Sequence, residues 1–141
     1  MTKPSLLFDA SSILTIVREL KGDAPDKLAD GVTISLAYYE VGNALWRESF
    51  LLKRISQPVA ENLLKEMYAI MGVMKVATLQ EENEGNAILA AASKFNLTFY
   101  DSAYLTEANK SKSTLVTDDK KLAAMAQKAG VKTLTSREFI I

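Results

Sequence analysis

A chain of 141 residues with 48% apolar side chains can bury a core as one globular unit, which excludes general disorder. It has no cysteine and no histidine, so disulfides, thiolate metal sites, cysteine nucleophiles, imidazole proton transfer and the commonest zinc ligand are excluded. Lysine plus arginine balance aspartate plus glutamate at 17 each, so composition alone does not announce nucleic-acid binding. Catalysis in such a chain must draw on carboxylates, hydroxyls, lysine, tyrosine or a metal ion. The start, "MTKPSLLFDASS", holds an apolar run too short for a signal-peptide core, and no segment approaches the roughly 20 apolar residues of a membrane span. The expectation is a soluble cytoplasmic protein without membrane contact.

In chain order the pattern alternates short β runs with helices. "SLLFD" (5–9) reads as a buried strand, "SSILTIVREL" (11–20) as a helix, and "GDAPD" (22–26) as a breaker with a short helical piece. "VTISL" (32–36) is β-branched, and "AYYEVGNALWRESFLLKR" (37–54) has helical spacing. The next helix follows "SQP", where Ser56 can cap and Pro58 suits the first turn. "VMKVATL" (73–79) is a strand, and "EENEGNAILAAASKFN" (81–96) a helix ending at Asn96. "LTFYD" leads into a helix from about 102 to 109, and "STLVTD" (113–118) is strand-like. "DKKLAAMAQKAG" (119–130) is a helix closed by Gly130, and "VKTLT" (131–135) is the last strand. Alternation of this kind predicts an α/β fold with a parallel sheet between helices. With no repeat, low-complexity stretch or linker, residues 1–141 read as a single domain.

Ligands of such sheets bind beyond the carboxyl ends of the strands. Asp9 ends the first strand, Asp101 follows "LTFY", and Asp118 and Asp119 end "STLV", which places them all at one rim. Glu40 lies one turn into the helix after the second strand and can reach the same rim. The bland reading of each aspartate is a helix cap; that of Glu40, with Asn43 and Arg47, is a solvated polar stripe.

Convergence favours chemistry. Four acids from four segments would repel one another in a partly buried site unless a cation neutralised them. Oxygen-only ligation suits hard divalent ions such as magnesium or manganese. Such an ion can activate water without any histidine, which makes a metal-dependent phosphodiesterase chemically possible. Ser11, Ser12 and Thr117 flank the acids and can orient a carboxylate, with Ser12 equally suited to local backbone bonding.

In this order, "LLFDASSI", "ISLAYYEVGNAL", "LTFYDSAYLTEA", "TLVTDDKKLAAMA" and "VKTL" resemble the PIN domain over essentially the whole chain, and more narrowly the VapC-type toxin ribonucleases of toxin–antitoxin pairs. The resemblance implies a three-layer α/β/α sandwich around a mainly parallel sheet. It matches Asp9, Glu40 and Asp101 to three acids of the family site. For the fourth, the spacing threonine, any residue, aspartate selects Asp119 and leaves Asp118 in the variable slot as an auxiliary. Ser11 and Thr117 match small polar positions beside the metal, and Asn43 an asparagine one turn after the glutamate.

The implied activity is magnesium- or manganese-dependent endonucleolytic cleavage of RNA. Asp9, Asp101 and Asp119 would hold the metal, directly or through water, and Glu40 would ligate it or act as general base. The resemblance further implies a homodimer and a small antitoxin partner, for which the apolar face of the helix at 59–71 is a candidate surface and core packing its bland alternative. Arg18, Lys21, Arg47, Lys53, Arg54, Lys110, Lys112, Lys120 and Lys121 are candidate phosphate contacts, and Tyr38, Tyr39, Trp46, Tyr100 and Tyr104 candidate base-stacking residues.

Other classes fit less well. A phosphoacceptor receiver needs an acidic pair after its first strand and an aspartate after its third, where this chain has Asp9 alone and "VATLQEE". A haloacid-dehalogenase-type phosphatase needs an aspartate where Ser11 stands. The alternatives kept are a non-catalytic PIN-fold binding module and an RNA-processing nuclease without an antitoxin.

Overall fold

Five short strands, β1 (Leu6–Phe8), β2 (Val32–Ile34), β3 (Lys75–Ala77), β4 (Thr114–Val116) and β5 (Thr133–Leu134), form one sheet in the order β3-β2-β1-β4-β5 in this computed structural model, which describes residues 4–141. Met1 to Lys3, included in the expected domain, lie outside the described residues. Every pairing is parallel, with Leu7 opposite both Val32 and Leu115. The expectation of a mainly parallel sheet is met.

The strand order dictates the layers. From β1 the chain steps outward to β2 and β3 through α1 (Ala10–Leu20), α2 (Ala24–Leu28), α3 (Leu36–Trp46) and α4 (Gln57–Met71). It then returns across the sheet through α5 (Glu82–Phe95) and α6 (Phe99–Ser111) to β4, and α7 (Lys120–Lys128) leads to β5. Right-handed crossovers in opposite directions put the two groups of helices on opposite faces. The core divides accordingly: Phe8 and Val116 pack with Ile13, Ile16, Val41 and Met67 on one side, whereas their neighbours Leu7 and Leu115 pack with Leu105, Leu122 and Ala126 on the other. Adjacent strand residues thus serve opposite layers, as the two-residue period of a strand requires.

The strands are shorter than the apolar runs suggested, because their flanks are taken by caps. α4 begins at Gln57 behind the Ser56 cap, and Asn96 closes α5 in the left-handed conformation. Gly130, at φ +84°, makes the turn after α7, where an L side chain would be strained. Three stretches depart from the sequence reading. The helix expected over 37–54 is α-helical only to Trp46 and widens into a π-turn at Arg47–Leu51. α6 begins at Phe99, not near 102, because Thr98 caps it. A final helix, α8 (Ser136–Ile140), extends the chain beyond the last expected strand; it is held by a capping box between Thr135 and Glu138 and packs Phe139 edge-on against Phe8.

A candidate active site at the switch point of the sheet

β1 and β4 are adjacent strands whose connections leave in opposite directions, which makes the gap beyond their carboxyl ends the switch point of the sheet. An open cleft of about 390 Å³ lies there, lined among others by Asp9, Ser11, Arg18, Glu40, Asn43, Arg47, Asp101, Tyr104 and Asp119. The structure therefore brings four acids from four segments to one cleft.

Asp9 is the most constrained of them. It follows β1, caps α1 by accepting the Ser12 N–H at 2.9 Å, and is only 6% exposed. Thr117 Oγ1 donates to its Oδ2 at 2.5 Å, and Ser11 Oγ to its Oδ1 at 3.3 Å. Ser12 serves the backbone: its hydroxyl bonds the carbonyls of Asp9 and Val116, tying the ends of β1 and β4 together. Thr117 also accepts the Asp119 N–H at 3.1 Å, and Asp119 caps α7 through the Leu122 N–H. One threonine hydroxyl thus sets the relation between two acids.

Asp101 sits differently from the expectation. The sequence offers it the cap of the following helix as well as a ligand role, but Thr98 is the cap and accepts the Asp101 N–H at 3.0 Å. The Asp101 carboxylate is therefore not committed to the helix start. Glu40 reaches the cleft from α3, where Tyr104 of α6 donates to its Oε1 at 2.6 Å. Tyr104 is 1% exposed, so the reading of it as a base-stacking aromatic is corrected: it is a core residue with its hydroxyl in the cleft wall.

The acids are electrostatically linked. Burial raises the Asp9 carboxyl above its ordinary range against the lowering effect of its hydrogen bonds. Burial also raises Glu40, opposed by the Tyr104 bond and reinforced by Asp101 and Asp9. Asp101 is raised by burial and by Asp119 and Asp9, with Lys121 acting the other way. Each mutual repulsion marks a place where a cation would be favoured.

Whether these residues suit a metal rests on that donor set. Among the described residues no three acids are gathered into a ligand cage. An open group of carboxylates around a water-accessible cleft is nevertheless what a magnesium-like ion takes, since it binds through one or two carboxylates and keeps several waters.

Asp118, expected as an auxiliary, is turned elsewhere. It accepts the Ser136 N–H at 2.8 Å and the Ser136 hydroxyl at 2.6 Å, and so fastens α8. Asn43 lines the cleft and is exposed. Of the candidate phosphate contacts, Arg18 and Arg47 line the cleft; Glu48 of the π-turn holds Arg18 in a bidentate ion pair. Lys110 lies 3.9 Å from Glu84, away from the acids. Sequence reasoning missed the Arg18–Glu48 pair and the Tyr104–Glu40 hydrogen bond, because both join residues far apart in the chain.

No family model matches the chain. Two curated relatives from Pyrobaculum aerophilum do: Exonuclease VapC9, 36% identical over 105 residues covering 74% of each chain, and Ribonuclease VapC3, 31% identical over 125 residues covering 84% of this chain and 92% of the relative. The crystal structure of PAE2754 from the same organism superposes with a TM-score of 0.73 at 25% identity, over 95% of this chain and 90% of that one. Fold and cleft place the protein in the PIN class. The chain belongs to the VapC family of PIN-domain toxin ribonucleases.

Proposed function

We propose that this protein is a magnesium- or manganese-dependent endoribonuclease and the toxin of a type II toxin–antitoxin pair, acting in the cytoplasm. The observation that carries the reading is the meeting of Asp9, Glu40, Asp101 and Asp119 at the switch point of a VapC-type fold. Asp9, Asp101 and Asp119 would hold the ion. When bound, it supplies activation of water and stabilisation of the leaving oxygen in an in-line displacement at phosphorus. Thr117 fixes two of these acids, and Glu40 either joins them as a ligand or accepts a proton from the attacking water. Arg18 and Arg47 offer the backbone phosphates a cationic wall.

Surface features support the partner readings. Leu79, Phe99 and Tyr100 are exposed around a second, largely apolar cavity of about 500 Å³ between α5 and α6, a surface suited to a homodimer. The apolar face of α4 is mostly core, with Met67, Ile70 and Met71 buried and Leu63 and Leu64 packed against them, which favours core packing over an antitoxin surface there. The stretch just before it, with Trp46 stacked on Phe50 and with Leu51 and Leu52 exposed, is the better candidate for an antitoxin contact. No helix among the described residues is long and apolar enough to cross a membrane.

The test is digestion of a circular single-stranded RNA in manganese, magnesium or chelator. Metal-dependent opening of the circle supports an endonuclease. Digestion of linear RNA alone would make it an exonuclease, and no cleavage of either form would contradict the enzymatic reading.

A further inference from the structure

Tyr104 occupies a position that packing alone does not explain. It is buried on α6 in the apolar cluster that holds Leu7, Leu105 and Leu115, where a phenylalanine would fill the same volume without burying a hydroxyl. A buried hydroxyl is costly unless it is hydrogen-bonded, and this one spends its proton on Glu40 Oε1, 64 positions away, at 2.6 Å. Among the described residues no other side chain bonds Glu40, so without the phenol its three side-chain torsions would be set only by packing. Tyr104 also stands one turn after Asp101 on the same helix, so α6 carries one acid of the cleft and the anchor of another.

We propose that Tyr104 is a positioning residue that locks Glu40 in one rotamer, engaging Oε1 and leaving Oε2 as the oxygen that works in the cleft. The inference rests on the reading of the cleft as a metal-dependent nuclease site for its catalytic consequence, but its structural content stands apart from that reading. Groups that orient metal-binding side chains are worth about 10–100-fold in affinity or activity. The bond also ties α3 to α6, so the two acids it relates approach the substrate as one rigid arrangement.

The test uses the full chain and its Tyr104→Phe, Glu40→Gln and double variants. Side-chain couplings measured by NMR on the metal-free protein are expected to report one Glu40 rotamer in the parent and averaging in Tyr104→Phe. Glu40 averaging in the parent, or a single unchanged rotamer in the variant, would overturn the proposal. Tyr104→Phe is expected to weaken manganese binding, titrated without RNA, or to lower kcat by about 10–100-fold with KM for RNA within about twofold. In the Glu40→Gln background the same substitution should add less than about twofold. A loss that persists undiminished there would assign Tyr104 to packing and overturn the proposal. A parent protein that shows the single rotamer yet neither binds manganese nor cleaves RNA would refute the nuclease reading and leave the positioning intact.

Discussion

Thr117 stands 108 positions from Asp9, and its hydroxyl donates to Asp9 Oδ2 at 2.5 Å while accepting the Asp119 backbone N–H at 3.1 Å. The bond closes β1 onto the end of β4 across the switch point. It explains how a chain without histidine or cysteine can hold acids in a fixed relation: the hydroxyl bond supports the ionised form of a buried carboxylate that desolvation opposes.

Replacing Thr117 with valine keeps the volume and removes both bonds. The variant should lose about 1–2 kcal/mol of stability, since Asp9 and the Asp119 N–H each lose a partner. Its manganese affinity should fall about 10–100-fold. Denaturant unfolding and calorimetric titration check the two effects separately.

The adjacent aspartates should separate cleanly. Asp118→Ala leaves Ser136 without its acceptors and should cost about 1–2 kcal/mol through loosening of α8, with cleavage within about threefold of the parent. Asp119→Ala removes both the α7 cap and a carboxylate of the cleft, and should abolish cleavage while costing about 1 kcal/mol. Parallel melting curves and cleavage rates decide; loss of cleavage in Asp118→Ala at full folding would reverse the assignment.

The raised carboxyls give a pH dependence of definite sign. Asp9, Glu40 and Asp101 bind protons more tightly in the folded state, so their contribution to stability is full below the ordinary values of 3.8 and 4.5. It is lost as pH rises from there through the raised folded values. In chelator, Tm should therefore fall on going from mildly acidic to neutral pH, with manganese restoring it. Asp101→Asn should raise the neutral-pH Tm in chelator and blunt the manganese effect. It should cost nothing as a helix cap, because Thr98 has that role. A Tm that rises toward neutral pH in chelator would contradict the electrostatic account.

Arg47 lines the cleft beside the Arg18–Glu48 pair. Arg47→Gln should raise KM for RNA, leave kcat within about twofold, and lower the slope of log affinity against log salt by about one. Arg18→Gln should in addition destabilise the fold, because Glu48 loses the ion pair that lowers its carboxyl.

Much of this arrangement was legible because it is local. Short apolar runs ending in aspartate marked β1 and β4, and Asp9 and Asp119 both cap the helices that follow, as their types suggest. Asp101 misled because the aromatic pair Phe99-Tyr100 imitates a strand end, whereas Thr98 had already started the helix. The "TSRE" of residues 135–138 carries a capping-box pattern that could have revealed α8, and with it the separate use of Asp118. What local patterns cannot show is long-range pairing: Arg18 with Glu48 and Tyr104 with Glu40 join separate helices, and an aromatic at helical spacing reads as core whether or not its hydroxyl works.

The most direct measurement is the initial rate of cleavage of a mixed-sequence single-stranded RNA in manganese, with parent protein, Asp101→Asn and a chelator control in parallel. Fragments are expected with the parent protein, vanishing in chelator and falling at least about a hundredfold in the folded variant. Equal cleavage by parent and Asp101→Asn, or cleavage that persists in chelator, would contradict it.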